Sequence, residues 1–263
     1  MPEAYKTIEQ LIDLTGRRAI ITGGAQGIGA AIARRLGEAG ATIALMDRNE
    51  AALNTTVNDL RDKGITALSV PVDLTDSEAL KAAFETTMKT AGGVEIWVNN
   101  AGVSPRVDAL KISESEWDDV LNLNLRAAFN GAMLAARHMA AHGTHGVIVN
   151  MTSSTVNRAA GNPMHYRVSK HGLIGLTQSL AVELGPSGIR AVAVAPTLTE
   201  TPWVSQLRAA GHAAGFDKFA KRLPLGRTAT ADDIARVVLF AVSDLAAFVT
   251  GTVLEVDGGE SCA

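Results

Sequence analysis

Short apolar runs alternate with longer amphipathic stretches along this chain. The runs Arg18–Thr22, Ala41–Met46, Ile65–Val72, Val94–Val98, Gly146–Met151, Ile189–Ala195 and Thr252–Val256 predict strands. Between them, Ile28–Ala39, Glu50–Lys63, Ser77–Ala91, Ser113–Ala141, Pro163–Leu184 and Ala231–Ser243 predict helices. Strands that are apolar at nearly every position are buried on both faces, which implies a parallel sheet with helices on both sides. No linker, low-complexity run or charge block divides the chain, so residues 1–263 read as one doubly wound α/β domain. The rhythm breaks at Pro196–Leu225, and long ordered insertions in such folds are often substrate lids.

Composition narrows the class. The chain is 47% hydrophobic and 19% charged, enough to bury a sizeable core. Its net charge of -3 and lack of a basic stripe exclude nucleic acid as the expected partner. The one cysteine, Cys262, permits no intrachain disulfide, in keeping with a reducing cytoplasm. The N-terminal stretch carries Glu3, Glu9 and Asp13 and does not read as a secretory signal. No apolar run approaches the roughly 18 residues of a spanning helix, so a soluble cytoplasmic protein without a membrane partner is expected.

Thr22–Gly29 reads TGGAQGIG and joins the first strand to the first helix. Such a loop lies at the carboxyl end of the sheet, where α/β folds bind ligands. Glycines at Gly23, Gly27 and Gly29 let the backbone approach a pyrophosphate, and the helix N-terminus supplies free N–H groups. A tight strand-to-helix turn would need the same residues. Asp47 favours the first reading: it ends the second strand, 20 residues after Gly27, where a carboxylate accepts from adenosine ribose hydroxyls. That carboxylate repels a 2′-phosphate, and Gln26 stands where a basic residue would attract one. Arg48 pulls the other way, so NAD is expected and NADP stays open.

Tyr166 and Lys170 sit four apart, on one face of a helix near its N-terminus, with Asn162 as its N-cap and Pro163 as its first residue. A phenol titrates near pH 10 in isolation, too high for a base at neutral pH. An ammonium about 4 Å away, at an effective dielectric near 20, favours phenolate by about 4 kcal/mol, or roughly 3 pKa units. Tyr166 could then act as a general base. Ser153 ends the preceding strand, 13 residues before Tyr166, and its hydroxyl could meet a substrate oxygen on the same rim; Ser154 is the neighbouring candidate.

These residues, with others, carry a resemblance to the classical short-chain dehydrogenases/reductases, from about Gly16 to Gly259. The motifs occur in the family's order: Thr22–Gly29; Val72-Asp73-Leu74; Asn99-Asn100-Ala101-Gly102; Asn124 within VLNLNLRAAF, preceded by Trp117; IVNMTS ending at Ser153; and Tyr166 with Lys170. The resemblance implies a single-domain Rossmann fold with a sheet of about seven strands. It implies that Tyr166 exchanges the substrate proton, Lys170 depresses the Tyr166 pKa and holds the nicotinamide ribose, Ser153 orients the substrate oxygen, and Asn124 fixes a water. It further implies a cofactor cleft lined by Gly23, Gln26, Gly27, Ile28, Gly29, Asp47, Arg48, Asp73, Leu74, Asn100, Ala101, Gly102, Pro196, Thr197, Thr199 and Thr201. A homotetramer is the family's usual assembly.

One departure stands out. The family has Pro-Gly after the sixth strand, whereas Thr197 follows Pro196 here and implies a changed loop conformation. Some sugar and polyol members carry Pro-Thr. Ser104, Arg106, Thr155, Asn157 and Arg158 make the expected substrate border polar, and Trp203 could close over it. His138, His142 and His145 cluster at a helix end, where solvated imidazoles suit the dipole better than a metal site; no metal is expected. The expectation is an NAD-dependent dehydrogenase interconverting a small secondary alcohol, of polyol or sugar type, and its ketone. The alternatives are an NADPH-dependent 3-oxoacyl or other carbonyl reductase, and a non-catalytic NAD(H)-sensing protein.

Overall fold

The structure, a computed structural model, describes residues 5–157 and 163–262. A short helix α1, Ile8–Ile12, is closed by a reciprocal cap between Thr7 and Gln10 and precedes β1, Arg18–Thr22. There follow α2 (Gly27–Glu38), β2 (Thr42–Asp47), α3 (Glu50–Arg61), β3 (Ala67–Pro71), α4 (Ser77–Ala91) and β4 (Ile96–Asn99). The second half runs α5 (Glu114–Leu121), α6 (Ala127–Ala141), β5 (Val147–Met151), α7 (Met164–Leu184) and β6 (Arg190–Pro196). It continues with β7 (Thr199–Glu200), α8 (Pro202–Leu207), α9 (Ala213–Ala220), β8 (Ala229–Thr230), α10 (Ala231–Val242) and β9 (Val253–Val256).

Seven strands form one parallel sheet in the order β3-β2-β1-β4-β5-β6-β9. The alternation of strand side chains explains its two covered faces. Ile21, Ile43, Leu45, Ile96, Val98, Val147 and Val149 pack with Ile32, Leu36, Ile234 and Val238 of α2 and α10. Ile20, Ala44, Met46, Trp97 and Ile148 pack the other way, with Leu80, Phe84, Ala132, Ala135 and Leu180 of α4, α6 and α7. The chain reverses its winding between β1 and β4, which opens a crevice at the carboxyl ends of these two strands.

The expected long helix over 113–141 is not uniform. Residues Asn122–Arg126 form one wide π turn between α5 and α6. Such turns recur at functional sites and leave no trace in apolar periodicity. Pro163 precedes α7 with extended ψ of 141°, so Met164 is the first helical residue, one later than expected. Asn162, the expected cap, and Arg158 lie outside the described residues. The insertion at 196–225 contains α8 and α9, and β7 pairs with β8 at its base. No described helix is long and apolar enough to cross a membrane.

Candidate active site

Two loops meet at the crevice. Gly23 N and Gly24 N donate to Met46 O at 2.8 and 3.3 Å, fastening the loop after β1 to β2. The Thr22 hydroxyl donates to Val98 O and accepts the N–H groups of Asn100 and Ala101 at 3.0 and 3.1 Å. Asn100 Nδ2 donates to Thr22 O and Gly23 O at 2.9 and 3.0 Å, so the loop after β4 clamps the glycine loop. A Cβ on Gly29 would stand 2.3 Å from Gly23 O and 2.7 Å from Asn100 Nδ2, which only glycine avoids. Gly23 has φ of +64°, and its own Cβ would meet Ala101 Cα at 2.8 Å.

The result is a tight cradle at the start of α2, with glycine where a Cβ would clash. Gln26, the N-cap residue, makes no side-chain cap, so the α2 N-terminus is not closed by its own residues. These features fit the pyrophosphate of a dinucleotide. Asp47 lies against the cradle: Oδ2 accepts from Ala25 N at 3.2 Å and Oδ1 from Asn49 N at 3.0 Å. Arg48 is exposed beside it, Ile28 is half-buried and Leu74 buried. Asp73 is exposed, and hydrogen bonds from the Thr75 hydroxyl and N–H hold its carboxyl below the usual range, with a smaller contribution from Arg48.

The π turn delivers Asn124 into the interior, where it is 1% exposed. Its Oδ1 accepts from Val103 N and its Nδ2 donates to Val103 O, both at 2.9 Å. Nδ2 also donates to Ser169 Oγ at 3.1 Å, and Ser169 Oγ donates to Tyr166 O at 2.7 Å. The loop carrying Gly102 is thereby joined to α7. A Cβ on Gly102 would lie 3.2 Å from Asn124 Oδ1 and 3.4 Å from Lys170 Nζ, which places the amide and the ammonium around one backbone position. Beneath them, Trp97, Asn99, Asn150 and Thr177 form a buried hydrogen-bonded chain linking β4 and β5 to α7.

Lys170 is 5% exposed and donates from Nζ to Met151 O at 2.8 Å. Burial lowers its pKa to about 8. Thr152 Oγ1 donates to Lys170 O, a second tie between the end of β5 and α7. Lys170 Nζ stands 5.6 Å from the Tyr166 ring centroid. The Tyr166 phenol differs from the sequence-based expectation: burial raises its pKa, and the Ser153 hydroxyl bond opposes that shift. The reason is distance and solvation, since the ammonium sits against Met151 O and desolvation is the largest influence on the phenol.

Ser153 is buried, and its hydroxyl accepts from Thr155 N at 3.3 Å. Arg167 Nε donates to Thr155 O at 3.2 Å, while Thr155 Oγ1 is buried without a hydrogen-bond partner among the described residues. Asn157 is turned to Glu255, donating to its Oε1 at 2.8 Å. Ser104 is half-buried and Trp203 is 46% exposed at the start of α8. Pro196 and Thr197 are buried, and no described residue other than glycine has positive φ, so Thr197 does not adopt the conformation reserved for glycine. Thr199 Oγ1 donates to Thr197 O at 2.8 Å. Thr201 caps α8, and its methyl would lie 3.4 Å from a Cβ on Gly27, which brings the insertion to the edge of the cradle.

Several participants were not among the sequence candidates. Ser169, Val103 and Thr152 hold the candidate groups in place. Glu260 accepts from Ser154 Oγ at 2.8 Å and from Thr197 Oγ1 at 2.6 Å. Ser169 could have been found from its place three residues after Tyr166, the back-bonding distance of a helical serine. Glu260 offers no local signal. His138 and His142 stack 4.1 Å apart, and no cluster of three metal-ligating side chains occurs among the described residues.

Comparison with known proteins matches residues 23–261 to the family described as Enoyl-(Acyl carrier protein) reductase. The chain is 39% identical to 4-formylbenzenesulfonate dehydrogenase of Comamonas testosteroni over 252 residues, 95% of this chain and all of the relative. It is 38% identical to cis-4-hydroxycyclohexanecarboxylate dehydrogenase of Sinomonas cyclohexanicum, covering 92% and 96% of the two chains. Among solved structures it resembles gluconate 5-dehydrogenase of Burkholderia cenocepacia J2315 in complex with NADP and tartrate. That match has a TM-score of 0.90 and 35% identity, with coverage of 98% and 100%.

Proposed function

The chain belongs to the classical short-chain dehydrogenase/reductase family of oxidoreductases, and on that premise we propose that it is an NAD-dependent dehydrogenase of a small secondary alcohol. The observation that carries this reading is the convergence of Ser153, Tyr166 and Lys170 on one rim of the sheet, beside the glycine cradle. The nicotinamide cofactor, when bound, accepts or returns the hydride.

The residues of the chain do the rest. Ser153 donates to the substrate oxygen and fixes it within reach of the Tyr166 hydroxyl. Tyr166 takes the hydroxyl proton in oxidation and returns it in reduction. Lys170, tied to Met151 O with its ammonium facing the Tyr166 ring, would hold the nicotinamide ribose, and the Ser153 hydroxyl is the group that favours the ionised phenol. Asn124 braces the loop at Gly102 and Val103 against α7, which keeps Lys170 in position. The insertion 196–225 acts as the lid, with Trp203 on its leading turn.

Asp47 supports NAD as the preferred dinucleotide, because a carboxylate against the cradle repels a 2′-phosphate. The NADP reading rests on the exposed Arg48 and on the NADP carried by the gluconate dehydrogenase. Polar groups at Ser104 and Arg106 favour a hydroxylated or charged substrate, and the similarity to a gluconate 5-dehydrogenase supports the polyol class. Exposed Phe129, Val168 and Val182 on α6 and α7 support a homo-oligomer, with a tetramer as the proposed state.

A panel of polyols, sugar acids, cyclic alcohols and 3-oxoacyl thioesters, each assayed with both dinucleotides, tests the reading. Turnover of a secondary alcohol with NAD supports it. Preference for NADPH and 3-oxoacyl thioesters replaces it with the reductase alternative. Binding of NAD without turnover of any member supports a sensing role.

A further inference from the structure

The last residues fold back on the sheet through a compact turn. Asp257 accepts from Gly259 N and Ser261 N at 2.9 and 2.8 Å, and Glu260 N donates to Asp257 O at 3.1 Å. Gly259 has φ of +88°, and a Cβ there would stand 2.7 Å from the Pro224 ring, so the turn packs directly on the far end of the insertion. Leu225 N donates to Gly258 O at 3.2 Å, adding a backbone tie at the same end. At the near end, Thr197 N donates to Val256 O at 3.2 Å. Both ends of the insertion are therefore held by the segment 256–259.

Glu260 completes this arrangement. One oxygen, Oε2, accepts from Thr197 Oγ1 and Ser154 Oγ at 2.6 and 2.8 Å. Thr197 follows β6 at the root of the insertion, and Ser154 follows the candidate Ser153 after β5. Both hydroxyls are buried. A single carboxylate thus joins the root of the lid to the segment that carries the candidate serine. Charge-assisted hydrogen bonds of this kind hold orientation better than neutral pairs. They also fix the direction of both hydroxyls: each proton points to Glu260, and each oxygen is left to accept.

We propose that Glu260 is a positioning residue for dinucleotide binding, acting through the hydroxyls of Thr197 and Ser154. The inference rests on the oxidoreductase reading given above. It also accounts for threonine at position 197. A glycine there would remove one donor to Glu260, and the threonine pairs with a carboxylate that arrives from the C-terminal turn.

The test is titration of purified protein with NADH, followed by fluorescence, alongside steady-state kinetics. Glu260→Ala is expected to weaken NADH about tenfold and to raise the dinucleotide KM by a similar factor, with kcat changed less than threefold. Glu260→Gln keeps an oxygen that accepts both hydroxyls and is expected to recover most of that loss. Thr197→Val, which conserves volume, is expected to weaken NADH several-fold, and the double variant with Glu260→Ala to be weaker than wild type by less than the product of the two effects. Unaltered NADH affinity in a folded Glu260→Ala variant, or full additivity with Thr197→Val, overturns the proposal. If Glu260→Ala does not fold, the Glu260→Gln and Thr197→Val results decide: wild-type affinity in Thr197→Val overturns it. If the wild-type protein binds neither NADH nor NADPH, the oxidoreductase reading falls first and this inference with it.

Discussion

Asn124 and Val103 hydrogen-bond in both directions, amide to backbone, at 2.9 Å each way. A side-chain amide that pairs with both polar groups of one residue behaves like a piece of strand, and it anchors a loop that has no regular structure of its own. The third bond of Asn124, to Ser169, carries that anchorage onto the helix of Tyr166 and Lys170. The wide turn at 122–126 is what brings the amide to this position.

Asn124→Ala is expected to destabilise the fold by about 1–3 kcal/mol, since Val103 N–H and C=O lose a buried partner. Urea denaturation measures it. The loop after β4 should also gain amide hydrogen exchange at Gly102 and Val103, which a remote surface substitution would not produce.

Tyr166→Phe removes the hydroxyl proposed to transfer the proton and changes little volume. Turnover is expected to fall by about 10²–10⁴-fold, the usual contribution of a positioned acid or base. Dinucleotide affinity should change less than threefold. Retained turnover would mean that another group exchanges the proton.

Lys170 supplies a pH signature. Its folded pKa of about 8 lies below the 10.5 of the free side chain, because the ammonium is buried. Between these values the unfolded chain binds a proton that the folded chain does not, so this group's contribution to stability rises with pH across the window and is lost as pH falls through about 8. Relative to Lys170→Met, the wild type should therefore gain about 3 kcal/mol between pH 8 and pH 10.5, an order-of-magnitude figure. Paired urea titrations at several pH values read the difference. A flat difference would contradict the burial of the ammonium.

Asp47→Asn keeps an acceptor for Ala25 N or Asn49 N and removes the negative charge. The ratio of NADP to NAD affinity is expected to rise by about tenfold or more, from about 1–4 kcal/mol of relieved repulsion at close range. An unchanged ratio would place the selection elsewhere, with Arg48 the next residue to substitute.

The sheet was legible because strands buried on both faces must be apolar at consecutive positions, as at Ile20-Ile21 and Val147-Ile148-Val149. The cradle was legible because Gly23 and Gly29 have no room for a side chain. Two kinds of feature were not. The π turn at Asn124 changes the phase of a helix without changing its apolar content. The Glu260 bonds span 106 and 63 residues, and no local pattern encodes such a contact. The direction of the Tyr166 shift was also missed, because pairing by sequence spacing says nothing about desolvation or about the claim of Met151 O on the ammonium.

The most direct test of the central claim follows one hydrogen atom. A secondary alcohol that the enzyme oxidises is deuterated at its carbinol carbon, and the reduced dinucleotide is examined by NMR and mass spectrometry. The deuterium is expected on the nicotinamide ring at a single face, with none lost to water. Reduced dinucleotide without the label, or label released to solvent, would contradict direct hydride transfer and the oxidoreductase reading built on it.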